Sequence, residues 1–581
     1  MPLVADPYLS VVAALPSLSA LLRHRAAVQP DDRAYVALSD RGREDAVITF
    51  AELDRRAVAL ARRLADRAVP GSRALLLFPM GIECLVAFFG CLYAGIIGVP
   101  LMVPRRQSAR DASVNILADC TPRLALTTAE LLSGVRGDLV GRFQHADLEW
   151  LAVDAQTGAI GAADLAQPQA QRNDIAFLQY TSGSTSAPKG VMVSHGNLLA
   201  NLEMIRIACG NTRASTHVSW VPLYHDMGLI LNALQALYVG ALCVLISPMA
   251  FLQRPYLWLR AIHDYRAQVA GGPNFGFDLC VDRHRPEQLA GLDLSCWKLA
   301  AAGAEPVRAQ TIERFTETFR SYGFDPQTMW PAYGMAEATL LISGGNRGEG
   351  PVVRDVSRAG LLRHEAVSPR EKADAQPAVG CGRTLVGEEV AIVDPETTVR
   401  LCQNRVGEIW VSGPNVAQGY WQNPEATEVI FRARIAGEAD RRWLRTGDLG
   451  FLDDTGELFI TGRIKDVIII RGANHYPQDI EDTVQDSHPA LRRHGGAAFT
   501  ILDEAKGEQL IVVQEIERTE RHRIVSAQLI GRIREAIVLE HDIVPHEIAL
   551  LRPGALPKTT SGKIQRALAR QLWLTGALER L

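Results

Sequence analysis

The chain has no paired cysteines: its nine are scattered singly from Cys84 to Cys402, with no C-x-x-C among them. That spacing excludes a disulfide framework and a clustered zinc site, and predicts reduced, mostly buried thiols in a cytoplasmic protein. Charge of either sign is not in excess. With 61 basic and 65 acidic residues the formal net charge is −4, so composition gives no sign of the basic face used to bind nucleic acid. The N-terminal stretch MPLVADPYLSVVAALPSLSALLRHRAA has no positive region ahead of an apolar core, and no signal peptide is expected. Long apolar runs are missing too, with one exception. Leu85–Val103 is 19 residues without a charge, but Gly90, Gly95, Gly98 and Pro100 interrupt it. It reads as a buried helix running into a buried strand rather than a membrane span, so no transmembrane segment is expected.

What is present is an α/β texture. At 581 residues the chain exceeds the size at which one core keeps growing, so two or more domains are expected. SRALLLF (72–78) reads as a strand and PVRAQTIERFTETFRSYG (306–323) as an amphipathic helix. Alternation of this kind implies layered, mainly parallel sheets with crossover helices. From Val379 the texture changes. GEEVAIVD (387–394) and GEIWVSGP (407–414) predict a small antiparallel β subdomain over 379–462. Residues 344–378 are polar and aperiodic, either functional or a tolerated surface insertion. Past GRIKD (462–466) the pattern of strand, helix, two strands and helix predicts a compact α+β domain over 465–581, following a large domain over 1–464.

One segment carries its own chemistry. In IAFLQYTSGSTSAPKGVMVSH (175–195) a β-rich run ends at Tyr180, hydroxyls and glycines follow, and Lys189 precedes a second β-rich run. Glycines let backbone N–H groups turn onto an anion, and Thr181, Ser182, Ser184 and Thr185 add hydroxyl donors around Gly183. The spacing is not that of a Walker A loop, and the bland reading is an ordinary Ser/Gly turn.

YTSGSTSAPKG resembles the signature loop of the adenylate-forming superfamily. The likeness continues in order through VPLYHDMGL (221–229), GGPNFGFDLC (271–280), AAGAEPVR (301–308), YGMAEATL (333–340), LRTGDLG (444–450), GRIKDVIIIRGANHYPQDIE (462–481) and LPKTTSGKIQR (556–566). Within the superfamily the chain is most similar to fatty acyl-AMP ligases, and 344–378 falls where that branch carries its characteristic insertion. The resemblance implies the adenylate-forming fold: a large layered α/β domain with a β subdomain and a small mobile C-terminal domain. It also implies ATP-dependent activation of a medium- or long-chain fatty acid, with Mg²⁺ as cofactor.

Each motif then acquires an implied role. Glu337 would hold Mg²⁺, which seldom has a full protein cage; blandly, it is a helix-start glutamate. Tyr333, with Gly334 and Met335, would stack on adenine, and Gly303, Ala304 and Glu305 would run along its edge. Ala336 stands where CoA ligases usually have threonine. Asp448 would accept from the ribose diol, with Arg463 as a second contact. Lys563 would be the catalytic cation, bridging carboxylate and α-phosphate, and Lys558 its decoy; otherwise both belong to an exposed basic tail. Trp220, His225, Met227, Gly228, Asn274 and Phe275 would line the acid pocket, His225 as gate or orienting residue unless it is a plain core histidine.

The family serves two half-reactions with one site by rotating its C-terminal domain, and the resemblance implies a hinge at Lys465 and a pantetheine arm passing Gly472. No serine-centred carrier motif occurs in the chain, so an acyl carrier protein acting in trans is the expected acceptor. Arg492, Arg493 and His494 are a candidate docking patch for it, or a solvated face. Two rivals stand beside this reading: a long-chain acyl-CoA synthetase of the same fold, and a catalytically silent carrier-binding homologue.

Overall fold

The computed structural model describes residues 7–103, 112–133, 148–155, 170–181, 188–438, 440–470, 473–503, 507–520, 523–541, 543–559 and 562–581. A six-stranded sheet runs in the order Glu149–Ala152, Leu124–Thr127, Arg73–Leu77, Ile97–Leu101, Ile175–Thr181, Lys189–Ser194. All its neighbours are parallel except the last pair, the hairpin flanking the Ser/Gly loop. A nine-stranded sheet runs Arg383–Thr384, Leu341–Gly344, Met329–Gly334, Leu299–Ala302, Val269–Gly272, His217–Ser219, Cys243–Ile246, Arg33–Leu38, Glu44–Thr49. Its middle is parallel and its edges antiparallel.

The helix Ile82–Ala94 contacts strands of both sheets and also the helix Phe50–Ala65. A helix covered on all sides must be apolar all round, and every residue of it but Glu83 is buried. Gly95 closes it at φ +67° and the strand Ile97–Leu101 follows, so the uncharged run is a core helix and a core strand. Among the described residues no helix is long and apolar enough to cross a membrane. All nine cysteines are free, and eight are buried; Cys402 is exposed.

The β subdomain is a four-stranded antiparallel sheet of Glu389–Val393, Gly407–Ser412, Leu444–Leu452 and Leu458–Arg463. Arg383–Thr384 joins the nine-stranded sheet instead, so the subdomain proper begins later than the texture change at Val379 suggests. The stretch 344–378 is not featureless: Val353–Ser357 pairs antiparallel with Ala375–Val379. In the C-terminal domain Leu491–Asp503, Gly507–Ile516 and Glu547–Leu551 form one sheet. Strand alternation divides its apolar residues between two cores. Ala498, Leu510, Val512 and Leu550 pack with Ile480, Val484, Ile533 and Ile537 on one face, and Phe499, Ile511, Val513 and Leu551 with Leu572 and Trp573 on the other.

Candidate active site

Antiparallel register puts Asp448 opposite Arg463. The Arg463 Nε donates to Asp448 Oδ1 at 2.7 Å, and the Tyr333 hydroxyl donates to Oδ2 at 2.7 Å. Tyr333 lies in the strand Met329–Gly334, so one buried carboxylate joins the β subdomain to the nine-stranded sheet. The Asp448 charge holds the Arg463 guanidinium protonated, and burial, together with that charge, pushes the Tyr333 phenol far above its ordinary range. An ionised carboxylate has about four acceptor positions; two are used here, which leaves room for a vicinal diol.

Immediately after Tyr333 the chain turns back on itself. A Cβ at Gly334 would sit 1.8 Å from the Leu340 carbonyl oxygen, the atom that accepts from Met335 N at 2.8 Å. Only glycine fits there. The short helical turn Ala336–Ala338 follows, then Thr339 at φ +68°, its hydroxyl donating to the Asn415 carbonyl at 2.6 Å. This turn buries Glu337, whose Oε1 accepts from the Tyr420 hydroxyl at 2.9 Å. Burial raises its pKa, an effect only partly offset by that hydrogen bond. Among the described residues no side-chain cation forms an ion pair with it. A buried carboxylate without a counter-charge is costly, and a bound cation removes the cost. Among the described residues no three His, Cys, Asp or Glu converge as a protein cage. A lone carboxylate therefore fits Mg²⁺, which keeps water and phosphate oxygens as its other ligands.

Tyr420 was not singled out from sequence. Besides holding Glu337, its ring lies 4.7 Å from the Lys189 Nζ. Its neighbours stitch it to the hairpin of the Ser/Gly loop: Met192 N donates to the Gly419 carbonyl and Trp421 N to the Gly190 carbonyl. The only local signal was an aromatic pair after Gly419 in an otherwise polar segment.

Lys563 enters the same cavity from the C-terminal domain. Thr559 N donates to the Lys563 carbonyl at 2.7 Å and Lys563 N to the Thr559 hydroxyl at 3.0 Å, closing a tight loop with Gly562 at φ +86°. Beneath Gly562 lies the Phe275 ring. Burial lowers the Lys563 pKa, while Asp226, Glu305 and Asp448 act to keep it charged. Asp226 is tilted the other way: burial would raise it, but His225, 2.7 Å away, and Lys563 bring it below its ordinary value. Lys558 lines the cavity too, but its Nζ donates to the His494 carbonyl at 2.6 Å.

The cavity measures about 1990 Å³ and spans both domains. Thr181, Gly303, Ala304, Glu305, Tyr333, Gly334, Met335, Glu337, Asp448, Arg463 and Lys563 all line it. Ala304 sits at φ +68°, and the Glu305 Oε1 is buried with no hydrogen-bond partner among the described residues. Of the expected pocket residues, His225 and Met227 line the cavity beside Met102, Ile116 and Leu231. Trp220, Gly228, Asn274 and Phe275 are not in its lining. Trp220 stacks on Phe251 at 3.9 Å inside an aromatic core that includes Trp258, with Phe275 edge-on to it. Gly228 presses on the Val221 and Pro222 carbonyls, where any Cβ would clash at 2.4 and 2.2 Å. Asn274 shapes the 306–308 loop, donating to the Pro306 carbonyl and accepting from Arg308 N. Lys465 is exposed in the turn Ile464–Asp466 between the two domains' strands. Ser182, Gly183, Ser184, Thr185 and Gly472 lie outside the described residues.

Comparison with known proteins accords with this geometry. Residues 22–421 match the family described as AMP-binding enzyme, and 465–581 match the Disco-interacting protein 2-like AMP domain. The chain is 44% identical over 570 residues to the medium-chain-fatty-acid–(acyl-carrier-protein) ligase JamA of Moorena producens, covering 96% of this chain and 95% of that one. It is 35% identical over 604 residues to a long-chain-fatty-acid–AMP ligase of Mycolicibacterium smegmatis, covering 97% and 95%. A solved structure from studies of fatty acyl-adenylate ligases of E. coli and L. pneumophila superposes with a TM-score of 0.87 at 34% identity, covering 97% of this chain and 99% of that one. On these likenesses the chain belongs to the AMP-binding enzymes, in their fatty acyl-AMP ligase branch.

Proposed function

We propose that the protein activates a medium- or long-chain fatty acid with ATP and passes the acyl group to the phosphopantetheine thiol of a separate acyl carrier protein. In the first step a carboxylate oxygen attacks the α-phosphorus of ATP, forming acyl-AMP and releasing pyrophosphate. In the second the thiolate sulfur attacks the acyl carbon, forming a thioester and releasing AMP. The observation that carries the reading is the convergence of Glu337, the Asp448–Arg463–Tyr333 triad and Lys563 on one cavity with an apolar wall. Both reactants of the first step are anions, so catalysis is mainly positioning and neutralisation of charge.

Asp448 and Arg463 hold the ribose, Tyr333 gives the base a flat face, and Lys563 supplies positive charge where carboxylate and phosphate meet. Bound Mg²⁺ would neutralise phosphate charge, and Glu337 is the residue placed to hold it, oriented by Tyr420. His225 and Met227 border the acid's side of the cavity. Names of relatives favour a carrier acceptor, as in JamA. The test is pyrophosphate release from dodecanoate, ATP and Mg²⁺, followed by acyl transfer to a phosphopantetheinylated carrier or to CoA. No pyrophosphate release would defeat the reading, and equal transfer to both thiols would favour the CoA-synthetase alternative.

Two variants probe the nucleotide side. Asp448→Ala is expected to raise the KM for ATP about tenfold, the value of one or two hydrogen bonds to a charged group, without changing fatty-acid binding. Calorimetry showing unaltered ATP affinity would remove Asp448 from the site. Tyr420→Phe keeps the ring under Lys189 but removes the hydroxyl from Glu337. About a tenfold rise in the Mg²⁺ concentration for half-maximal adenylation is expected; an unchanged Mg²⁺ dependence would show that Tyr420 only packs.

The pH dependence follows from the two raised and lowered groups. Glu337 must be ionised and Lys563 charged, the first with its pKa raised by burial and the second with its pKa lowered by burial. Adenylation should therefore fall as pH drops through the raised Glu337 value and as pH rises through the lowered Lys563 value. The bell of kcat/KM is narrower than an ordinary glutamate and lysine would set. An alkaline limb that persists unmoved in Lys563→Arg would assign that limb to another group.

A further inference from the structure

We propose that His494 is a positioning residue for the adenylation half-reaction: it bridges the two domains and carries the Lys563 loop into the site. The proposal rests on the functional reading above. His494 sits at φ +53° where the strand Leu491–Asp503 slips register against Gly507–Ile516. Bulges of this kind turn a side chain out of its sheet, and a non-glycine residue in left-handed backbone persists only where surrounding contacts hold it. Here the side chain is turned toward the large domain, and both ring nitrogens are engaged there.

The Arg308 Nη1 lies 2.7 Å from His494 Nδ1, and His494 Nε2 lies 2.9 Å from Asp278 Oδ2. A guanidinium can only donate, so Nδ1 is the acceptor and Nε2–H the donor to the carboxylate. Both partners are themselves fixed. Asp278 is buried and also accepts from the Thr311 hydroxyl and Arg314. Arg308 pairs with Asp482 of the C-terminal domain at 2.9 Å, and its loop is shaped by Asn274.

The backbone of the same residue faces the catalytic lysine's loop. The His494 carbonyl accepts from Lys558 Nζ, and Lys558 bridges Ile564 across the turn whose far side is Lys563. A single residue thus links Asp278 and Arg308 on one domain to the base of the Lys563 loop on the other. The neighbouring cations have partners within the chain as well: Arg492 pairs with Glu515, and Arg493 with Gln310 and Asp486. Of these, Arg493 also reaches the large domain through Gln310, whereas the Arg492–Glu515 pair stays within the C-terminal sheet. Once the lysine has left for thiol transfer, the bridge has no task, so its loss should be felt in one half-reaction only.

The test compares His494→Asn, which tolerates left-handed backbone but is too short to reach both partners, with His494→Gln, whose amide offers one donor and one acceptor. His494→Asn is expected to lower kcat for acyl-adenylate formation about tenfold, with the KM values for ATP and fatty acid within about twofold and transfer from pre-formed acyl-AMP undiminished. His494→Gln should recover most of the loss. An equal fall in both half-reactions, an unchanged adenylation rate, or no recovery by glutamine would each overturn the bridge. Lys563→Ala is assayed in parallel. If it too spares adenylation, the functional reading beneath fails; if it abolishes adenylation while His494→Asn does nothing, only the bridge does.

Discussion

Lys563→Ala will lower acyl-adenylate formation by ~100-fold or more, the usual cost of removing a charge that acts in the transition state, and will leave transfer from pre-formed acyl-AMP largely intact. Lys563 reaches the cavity holding Glu337 and Asp448 from a loop whose backbone is closed on itself through Thr559. Lys558 does not compete for the role, because its ammonium is spent on the His494 carbonyl. Lys558→Ala should therefore weaken adenylation by loosening the loop, less than Lys563→Ala does. The measurement is pyrophosphate release in single turnover against thioester formation from supplied acyl-AMP. Equal loss in the two assays, or a larger effect from Lys558→Ala, would take the catalytic role away from Lys563.

That Lys563 follows Gly562 in a turn was legible in the sequence because it is local. The same holds for the C-terminal sheet, whose strands alternate cleanly between two cores. Features built from distant parts were not legible. Tyr420 meets Glu337 across 83 positions, and His494 meets Asp278 across 216. Trp220 sits in a motif that suggests a pocket wall, yet its ring stacks on Phe251 inside the aromatic core, a choice made by packing partners that no local pattern names. The hairpin within 344–378 stayed hidden for a different reason. Its first strand, Val353–Ser357, has no exposed-buried alternation, so the period-two signal of a strand is absent.

That hairpin is the segment whose removal should change which thiol is accepted. Val356, Leu361 and Ala366 pack with Leu449, Phe451, Phe459 and Tyr476, so it is seated on the β subdomain and on the start of the C-terminal domain. It also grips that domain by polar contacts. Arg358 pairs with Glu540 at 2.6 Å, His364 with Asn474 at 2.8 Å, and Gln376 bonds Asp479, whose carboxyl burial pushes up to about 6. These contacts lie on both sides of the turn Ile464–Asp466, so they would oppose the proposed rotation about Lys465. A restraint of ~2 kcal/mol would cut the population competent for thiol transfer about thirtyfold, leaving CoA a poor acceptor unless a docked carrier supplies the missing binding energy. Deleting the hairpin should raise acyl-CoA formation about thirtyfold while pyrophosphate release continues, with a lower Tm because Phe451 and Phe459 lose their cover. Arg358→Ala with His364→Ala separates restraint from cover. Partly exposed pairs are worth ~1 kcal/mol together, so about a fivefold rise in acyl-CoA is expected with little change in Tm. If neither variant makes more acyl-CoA than the parent, the barrier to CoA is not the hairpin, and it lies in the approach to the acyl group itself.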